Sequence, residues 1–390
     1  MNYDQLINPI VQQIPPSGIR KFFDIAAEMK DCISLGVGEP DFVTPWNIRE
    51  AGIDSLKRGI TCYTSNAGLL ELRQLICRYY HERFHVSYEP SQCLVTVGAS
   101  EGIDLALRTV VCAGDEVLIP EPSYVSYAPC IRLAGGVPVP LKTSDEIGFK
   151  LTADIVREAL TPRTKALILT YPNNPTGGIM TRQELEEMSK ALEGTNVLVV
   201  TDEIYAELTY GGHHASFAAI PQMYERTITL NGFSKAFAMT GWRLGYILAP
   251  QPLTKQMLKI HQYTILCASI TSQTAAVEAL KHGFDTDFSD VRAMRREYNR
   301  RRNFLVHQFN GMGLSCFEPL GAFYVFPCIR STGLTSDEFC QRLLQEHHVA
   351  AVPGTAFGDC GEGFIRCSYA CSMEHLIEAC KRIRTFVESL

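Results

Sequence analysis

Short apolar runs alternate with segments of helical periodicity through the middle of the chain. The runs are rich in β-branched residues, as is typical of buried strands, and six of them stand out: Cys93–Val97, Glu116–Ile119, Lys165–Leu169, Val197–Thr201, Thr227–Leu230 and Gly245–Leu248. Between them, Gly102–Val111 and Arg182–Leu192 carry apolar residues at helical spacing, and Thr181 is a candidate N-cap for the second. This alternation predicts an α/β domain whose largely parallel sheet is covered by helices.

A different pattern begins near residue 285. The charged, helix-like stretch Val291–Phe309 precedes shorter strand and helix patterns, which end in Met373–Leu390. We therefore predict a second, smaller domain. The dense basic run Arg295–Arg302 contains Glu297, which favours a solvated helix face over an anion-binding patch.

Composition narrows the possible partners. With 390 residues, 46% of them hydrophobic and 20% charged, the chain can bury sizeable cores and is expected to be a soluble globular protein. A formal net charge of -6 offers no basic face for nucleic acid. Residues 1–18 lack a basic segment followed by an apolar core, and the longest apolar stretches are strand-sized, so we expect neither export nor a membrane span. A cytoplasmic location is the expectation.

The cysteines do not suggest a metal site. Fourteen of them are spread from Cys32 to Cys380 without a Cys-x-x-Cys pair, whereas structural zinc sites usually use close pairs. We expect reduced thiols that act as small hydrophobic residues, and no bound metal.

Two glycine-rich pieces partly match nucleotide-binding motifs. Neither Gly36–Pro40 nor Gly98–Gly102 completes G-x-G-x-x-G, and no Walker lysine follows either. The second lies between a predicted strand and a predicted helix, so the backbone N–H groups of Gly98, Ala99 and Ser100 are expected to converge at the positive end of the helix. An anion such as a phosphate is predicted to bind there.

The strongest chemical signal is the segment Ser234–Gly245, which reads Ser-Lys-Ala-Phe-Ala-Met-Thr-Gly-Trp-Arg-Leu-Gly. It resembles the matching segment of the class I and II aminotransferases, which are pyridoxal-phosphate-dependent enzymes of fold type I. The resemblance implies that Lys235 binds the cofactor as a Schiff base and that Arg243 holds the cofactor phosphate. Such a lysine must be partly desolvated to be nucleophilic near neutral pH, and a forked guanidinium matches a phosphate.

Further motifs follow in the family's order and cover the chain nearly end to end. The resemblance implies that Asp202, near the end of Val199–Tyr205, pairs with the protonated pyridine nitrogen and keeps the ring an electron sink. It also implies that Tyr205 and Asn174 hydrogen-bond the phenolic oxygen of the ring, and that Asn174 contacts the substrate. Taken alone, an acidic strand end suits an N-cap or an ion pair, and Pro172–Gly177 suits any tight turn.

Other positions are implied to contact the ring, the phosphate or the substrate. Tyr124 would stack on the pyridine ring, and Ser234 would add a phosphate contact. Arg366 would clamp the α-carboxylate of the substrate, with Gly38 against the same group. Tyr63 corresponds to a tyrosine that reaches the phosphate of the neighbouring subunit, which implies a homodimer with two shared active sites.

The implied architecture is an α/β fold of fold type I. A large domain, residues 46–284, would hold a mostly parallel seven-stranded sheet flanked by helices, and residues 1–45 with 285–390 would form a smaller α+β domain. The implied reaction is ping-pong transfer of an amino group from an L-amino acid to a 2-oxo acid such as 2-oxoglutarate. Lys235 would move the proton, with Asp202 and Tyr205 as its catalytic partners.

The sequence defines the amino donor of this reaction less well. Five stretches are similar to the Bacillus-type aminotransferase A branch: Ser17–Phe22, Gly148–Thr152, Lys259–Tyr263, Gly321–Tyr324 and Cys371–Met373. That similarity implies N-acetyl-L,L-diaminopimelate as the donor, while aromatic amino acids and aspartate stay open. Arg20 and Tyr263 are candidates for the distal end of the substrate.

Two other functions stay open at this stage. A C–S β-lyase uses the same cofactor apparatus but releases pyruvate and ammonia. A transcription regulator built on this fold carries an added DNA-binding domain, and the roughly thirty residues before Ile33 are too few for one.

Overall fold

The computed structural model describes residues 1–16, 29 and 31–390. The α-helices of this part are α1 (Pro9–Gln13), α2 (Trp46–Lys57), α3 (Leu70–Phe84), α4 (Gly98–Val110), α5 (Tyr127–Leu133), α6 (Ala153–Ala159), α7 (Arg182–Ser189), α8 (Gln251–Thr264), α9 (Ile270–Thr286), α10 (Ser289–Gly311), α11 (Ser336–His347) and α12 (Met373–Glu388). The strands are β1 (Ile33–Ser34), β2 (Cys93–Thr96), β3 (Glu116–Glu121), β4 (Val137–Lys142), β5 (Thr164–Thr170), β6 (Leu198–Asp202), β7 (Thr227–Gly232), β8 (Gly245–Leu248), β9 (Tyr324–Val325), β10 (Val349–Ala350), β11 (Val352–Pro353) and β12 (Ile365–Ser368).

Seven strands form the central sheet in the order β2-β8-β7-β6-β5-β3-β4. Strand β8 runs antiparallel to β2 and β7, whereas the other neighbouring pairs are parallel. Most residues of the inner strands β5, β6 and β7 are buried, as expected for a parallel sheet covered on both faces. The predicted α/β class and the mostly parallel seven-stranded sheet are confirmed.

The six strands predicted from the apolar runs are all present, and Gly245–Leu248 matches residue for residue. The seventh, β4, was missed because Pro138 and Pro140 interrupt its β-branched pattern. Proline removes a backbone donor and is tolerated mainly at the edge of a sheet. Strand β4 is an edge strand, paired only with β3 among the described strands.

The predicted helices differ from the observed ones at their ends. Thr181 caps α7 as expected: its side chain accepts the N–H of Glu184, and the Glu184 carboxylate accepts the N–H of Thr181. Helix α4 begins at Gly98 and not at Gly102, and only Val97 separates it from β2. Gly98 has φ +75°, a conformation that glycine adopts readily and that lets the chain turn from strand to helix within this short connection.

The N-terminal and C-terminal parts of the chain pack together. Strand β1 pairs in parallel with β10, and β11, β12 and β9 form an antiparallel sheet. Ile33 and Leu35 join a buried cluster that draws on α10, α11 and α12, for example through Leu305, Phe339 and Ile383. The domain limits at residues 46 and 284 remain a prediction.

The prediction of a solvated face for Arg295–Arg302 is wrong at the C-terminal end of this run. Arg301 and Arg302 in α10 are buried. Nη1 of Arg301 lies 2.9 Å from Oδ2 of Asp41, and Nη1 of Arg302 lies 2.7 Å from Oε1 of Glu318. Because a buried guanidinium requires an opposite charge, these pairs tie α10 to two distant segments.

Segments that carry predicted site residues follow the carboxyl ends of the parallel strands, which meet at one edge of the sheet. Strand β6 ends at Asp202, β7 ends just before Lys235, and β5 ends just before the turn that contains Asn174. Since β8 is antiparallel, its amino end, next to Arg243, lies at the same edge. Open α/β sheets bind their ligands at this edge.

We predict that Leu230→Ala lowers the free energy of unfolding by about 2–5 kcal/mol, as measured by urea denaturation. Leu230 in β7 is fully buried, and its Cδ2 lies 3.1 Å from where a Cβ atom on Gly102 of α4 would stand. Its truncation therefore leaves a cavity between the sheet and α4. In the control Ile377→Ala, at an exposed position of α12, the loss should stay within about 0.5 kcal/mol. Equal losses in the two variants would contradict this packing role.

Candidate active site

A cleft of about 1040 Å³ opens at the carboxyl edge of the sheet. Eleven of the predicted site residues line it: Gly38, Ala99, Ser100, Tyr124, Asn174, Asp202, Tyr205, Ser234, Lys235, Arg243 and Arg366. They come from the strand ends and the loops after them, from α4, from the segment after β1 and from β12, so the fold brings together residues that are more than 300 positions apart. Gly98 lies beside the cleft, against Arg243.

Lys235 has the environment of a reactive amine. Its Nζ donates a hydrogen bond of 2.5 Å to the carbonyl oxygen of Gly38. Burial lowers the pKa of Lys235 to about 8, opposed by the negative charge of Glu39 and reinforced by the positive charges of Arg366 and Arg243. A neutral, nucleophilic amine is therefore available near physiological pH.

Asp202 is a buried carboxylate between two neutral donors. The hydroxyl of Tyr127 donates to its Oδ2 at 2.8 Å, and the N–H of Ile204 donates to its Oδ1 at 3.1 Å. Burial raises the pKa of Asp202, and the hydrogen bond from Tyr127 opposes that rise. A buried carboxylate with neutral donors is well suited to a cationic partner, such as a protonated ring nitrogen.

Sequence reasoning missed Tyr127 and Tyr324. Tyr127 stands three residues after the predicted Tyr124, but its contact with Asp202 joins residues 75 positions apart, which the local sequence does not reveal. The hydroxyl of Tyr324 lies 2.8 Å from that of Tyr205. A Cβ atom on Gly38 would stand 2.8 Å from the same hydroxyl, which explains the glycine there. Tyr324 belongs to Gly321–Tyr324, a stretch that indicated only the branch of the family.

Arg366, in β12, is almost completely buried. Its Nη1 donates to Oδ1 of Asn174 at 2.9 Å, its Nη2 donates to the carbonyl oxygen of Gly36, and its guanidinium lies 4.5 Å from the centre of the Tyr324 ring. Its Nε is buried without a hydrogen-bond partner among the described residues. This orphaned donor at the cleft suits a carboxylate ligand.

The turn that carries Asn174 is held by close backbone packing. Gly177 has φ +72°, and a Cβ atom there would stand 2.4 Å from Cβ of Pro319. Only glycine fits both the conformation and the space. The turn thus packs against the segment before β9 and presents Asn174 to Arg366.

The predicted anion site is a cradle between α4 and Arg243. A Cβ atom on Gly98 would stand 2.6 Å from Nη2 of Arg243, and the Nη1 of that arginine donates to the carbonyl oxygen of Thr240 at 3.0 Å. The first turn of α4, whose Ala99 and Ser100 line the cleft, adds the backbone N–H groups of a helix start. A phosphate fits this donor set.

Some predicted residues lie elsewhere. Tyr63 and Tyr263 are 83% and 86% exposed and do not line the cleft. The hydrogen bond of 3.0 Å from Nδ2 of Asn66 to the carbonyl oxygen of Leu266 connects their two segments. Arg20 and the stretch Ser17–Phe22 lie outside the described residues.

The family profile described as "Aminotransferase class I and II" matches residues 30–383, so the chain belongs to the class I and II aminotransferases. It is a pyridoxal-phosphate-dependent transaminase with the fold-type-I architecture of that family.

Individual relatives support the same conclusion. YugH of Bacillus subtilis, whose name states an aminotransferase but no substrate, is 53% identical over 98% of both chains. The B. subtilis protein named "Probable N-acetyl-LL-diaminopimelate aminotransferase" is 45% identical over 98% of this chain and 96% of its own. The solved aspartate aminotransferase of Thermus thermophilus, determined with maleate, has a TM-score of 0.93 and 36% identity over 97% of this chain and 99% of its own. Nothing in the cleft or in these relatives favours a C–S lyase or a transcription regulator.

Within the described part of the chain, no helix is both long and apolar enough to cross a lipid bilayer.

We predict that the rate at which the cofactor-free protein captures pyridoxal phosphate rises with pH, is half-maximal near pH 8 and levels off at higher pH. The reason is that the neutral Lys235 amine, whose pKa is about 8, is the reacting form; for an exposed lysine the midpoint would lie at about pH 10.4. Stopped-flow absorbance measures the rate. Because Glu39 raises the pKa of Lys235, Glu39→Gln should move the profile to lower pH. A midpoint near that of free lysine would contradict the assignment.

Proposed function

We propose that this cleft transfers the amino group of an L-amino acid with a second, distal carboxylate to a 2-oxo acid such as 2-oxoglutarate. The observation that carries the proposal is the placement of a partly buried amine, a buried carboxylate and a buried guanidinium, those of Lys235, Asp202 and Arg366, around one cleft. Each belongs to a different structural element. Together they match the needs of amino-group transfer at an α-carbon.

When bound, pyridoxal phosphate supplies an electron sink for the bonds at the α-carbon of the substrate. The chain's own residues would hold it. Arg243 and the first turn of α4 would bind its phosphate, and Asp202 would pair with its ring nitrogen. Tyr205 and Asn174 would donate to its phenolic oxygen, and Tyr124 would stack on its ring.

Substrate binding would centre on Arg366. Its orphaned Nε and its position next to Asn174 suit an α-carboxylate, which would fix the orientation of the α-hydrogen. The neutral amine of Lys235 would then take that proton as a general base and pass it on to the cofactor. Because the amino acid and the 2-oxo acid both carry this carboxylate, one arginine serves both halves of a ping-pong cycle.

The distal carboxylate is inferred from Arg132. This exposed arginine of α5 lines the cleft and makes no ion pair with any described residue. Lys235, Arg243 and Arg366 already have roles, so Arg132 is the cation available to a second carboxylate. N-acetyl-L,L-diaminopimelate and aspartate, the donors stated in the names of two relatives, both carry such a group, whereas aromatic amino acids do not.

We predict that donors with a distal carboxylate convert the cofactor to its amino form in the absence of an acceptor, and that 2-oxoglutarate reverses the change. The panel contains N-acetyl-L,L-diaminopimelate, aspartate and phenylalanine, and the dependence of the absorbance change on donor concentration gives an apparent dissociation constant for each. Arg132→Gln should raise this constant about tenfold for the first two donors, the size of one lost charged contact, and leave that for phenylalanine unchanged.

Arg157→Gln, at an exposed ion pair outside the cleft, is the matched control. Pyruvate and ammonia as products, without glutamate, would overturn amino-group transfer. A preference for phenylalanine that Arg132→Gln does not alter would overturn the donor class alone.

The working unit proposed is a homodimer with shared sites. Exposed apolar side chains gather where the segments of Tyr63 and Tyr263 meet, among them Ile265 and Leu266. A second copy of the chain would cover them and would bring Tyr63 to the phosphate of its neighbour. A cytoplasmic location is proposed as well, since all fourteen cysteines are free thiols, which suits a reducing compartment.

We predict intersubunit complementation between Tyr63→Ala and Lys235→Ala. Each variant alone should have little activity. A hybrid dimer has one site with both lesions and one intact site, so random reassortment of equal amounts should restore about a quarter of wild-type activity. Activity assays after co-refolding, with sedimentation to confirm dimers, test this. A mixture no more active than the sum of its parts would contradict shared sites.

A further inference from the structure

The stretch Lys259–Tyr263, which is similar to one branch of the family, contains one fully buried residue. His261 in α8 is inaccessible, whereas Lys259 and Tyr263 are exposed. Nδ1 of His261 lies 2.6 Å from Oε1 of Glu101. The histidine therefore faces α4, and it has no part in the proposed reaction.

Glu101 connects this histidine to the anion cradle. It stands in the first turn of α4, and its Oε2 accepts the N–H of Val97 at 2.6 Å. Val97 precedes Gly98, the residue that faces Arg243. A chain of two short hydrogen bonds thus runs from α8 to the start of the predicted phosphate-binding turn.

The same turn is constrained from its other side. The hydroxyl of Thr96 donates to the carbonyl oxygen of Gly98 at 2.9 Å. A Cβ atom on Gly245 of β8 would stand 2.5 Å from the backbone nitrogen of Ala99, so the turn rests directly on that strand. Contacts from β2 and β8 and the pair Glu101–His261 together determine where the N–H groups point.

The negative charge of Glu101 gives His261 a specific role. Glu101 stands in the same first turn of α4 that would bind the phosphate, and its negative charge would repel that of the phosphate. A proton held on Nδ1 of His261 draws the negative charge of Glu101 toward α8 and away from the cradle. Without that donor, the carboxylate would be free to swing and to compete with the phosphate for backbone N–H groups.

We propose that Glu101 and His261 are positioning residues that hold the first turn of α4 in the shape that binds the cofactor phosphate. This rests on the placement of that phosphate under the proposed function. Neither residue lines the cleft. Their effect is therefore on the affinity for a phosphate-bearing ligand and not on the chemistry at Lys235.

The test compares three ligands of the purified full-length chain: pyridoxal phosphate, pyridoxal, which lacks the phosphate, and inorganic phosphate as a competitor. Glu101→Ala and His261→Leu should each weaken the binding of pyridoxal phosphate and of inorganic phosphate about tenfold, the size of one lost charge-assisted hydrogen bond. Capture of pyridoxal by Lys235 should be unchanged. A merely structural lesion would weaken both cofactor forms alike.

Conservative variants keep the test decisive if the first pair folds poorly. His261→Asn retains a donor near the position of Nδ1, and Glu101→Gln retains an acceptor for Val97, so both should bind pyridoxal phosphate within about twofold of wild type. Lys259→Ala, on the exposed face of α8, controls for changes in that helix.

Two results would overturn the proposal: equal weakening of pyridoxal and pyridoxal phosphate, or no selective effect on the phosphate-bearing ligands. Arg243→Gln, measured in parallel, identifies which inference has failed. If Arg243→Gln weakens phosphate binding and the Glu101 and His261 variants do not, the positioning role is wrong. If none of the three has an effect, the placement of the phosphate itself is wrong.

Discussion

The burial of charge at the carboxyl edge of the sheet is the constraint on which the rest of the site depends. Transfer of an ammonium, a carboxylate or a guanidinium out of water costs several kcal/mol per ion, so each needs a partner in the fold. Lys235 donates a hydrogen bond to the Gly38 carbonyl, Asp202 accepts one from Tyr127, and Arg366 donates one to Asn174. Since these partners come from distant segments, the reactive groups are in place only when the sheet, the segment after β1 and β12 have assembled.

Much of this architecture was predictable from sequence. Parallel strands buried on both faces appear as short apolar runs, and so six strands of the sheet were located to within two residues at each end. Lys235 and Arg243, which both line the cleft, could be proposed as site residues because they belong to one local motif. Tyr127, Tyr324 and His261 were missed because each acts through a partner between about 75 and 160 positions away, and local pattern contains no information on such contacts.

For the basic run in α10, the sequence led to a wrong prediction of solvent exposure. Helical spacing and charge favoured a solvated face, yet Arg301 and Arg302 are buried because Asp41 and Glu318 reach them from other segments. The charge pattern of a sequence shows that an arginine needs either water or an opposite charge. Whether the arginine can be buried depends on whether the tertiary fold brings an opposite charge next to it. A similar limit applies to Tyr63, whose proposed partner lies on another chain.

Strand β4 protects the sheet from unwanted association. The N–H of Val137 donates inward to the carbonyl oxygen of Asp115, and because strand residues alternate, the nitrogens of Pro138 and Pro140 face the open edge of the sheet. Neither carries a hydrogen, so a foreign strand that approached this edge would find two of its carbonyl groups without a donor. The two prolines that hid β4 from sequence reasoning thus make the edge a poor template for aggregation, at no cost to its pairing with β3.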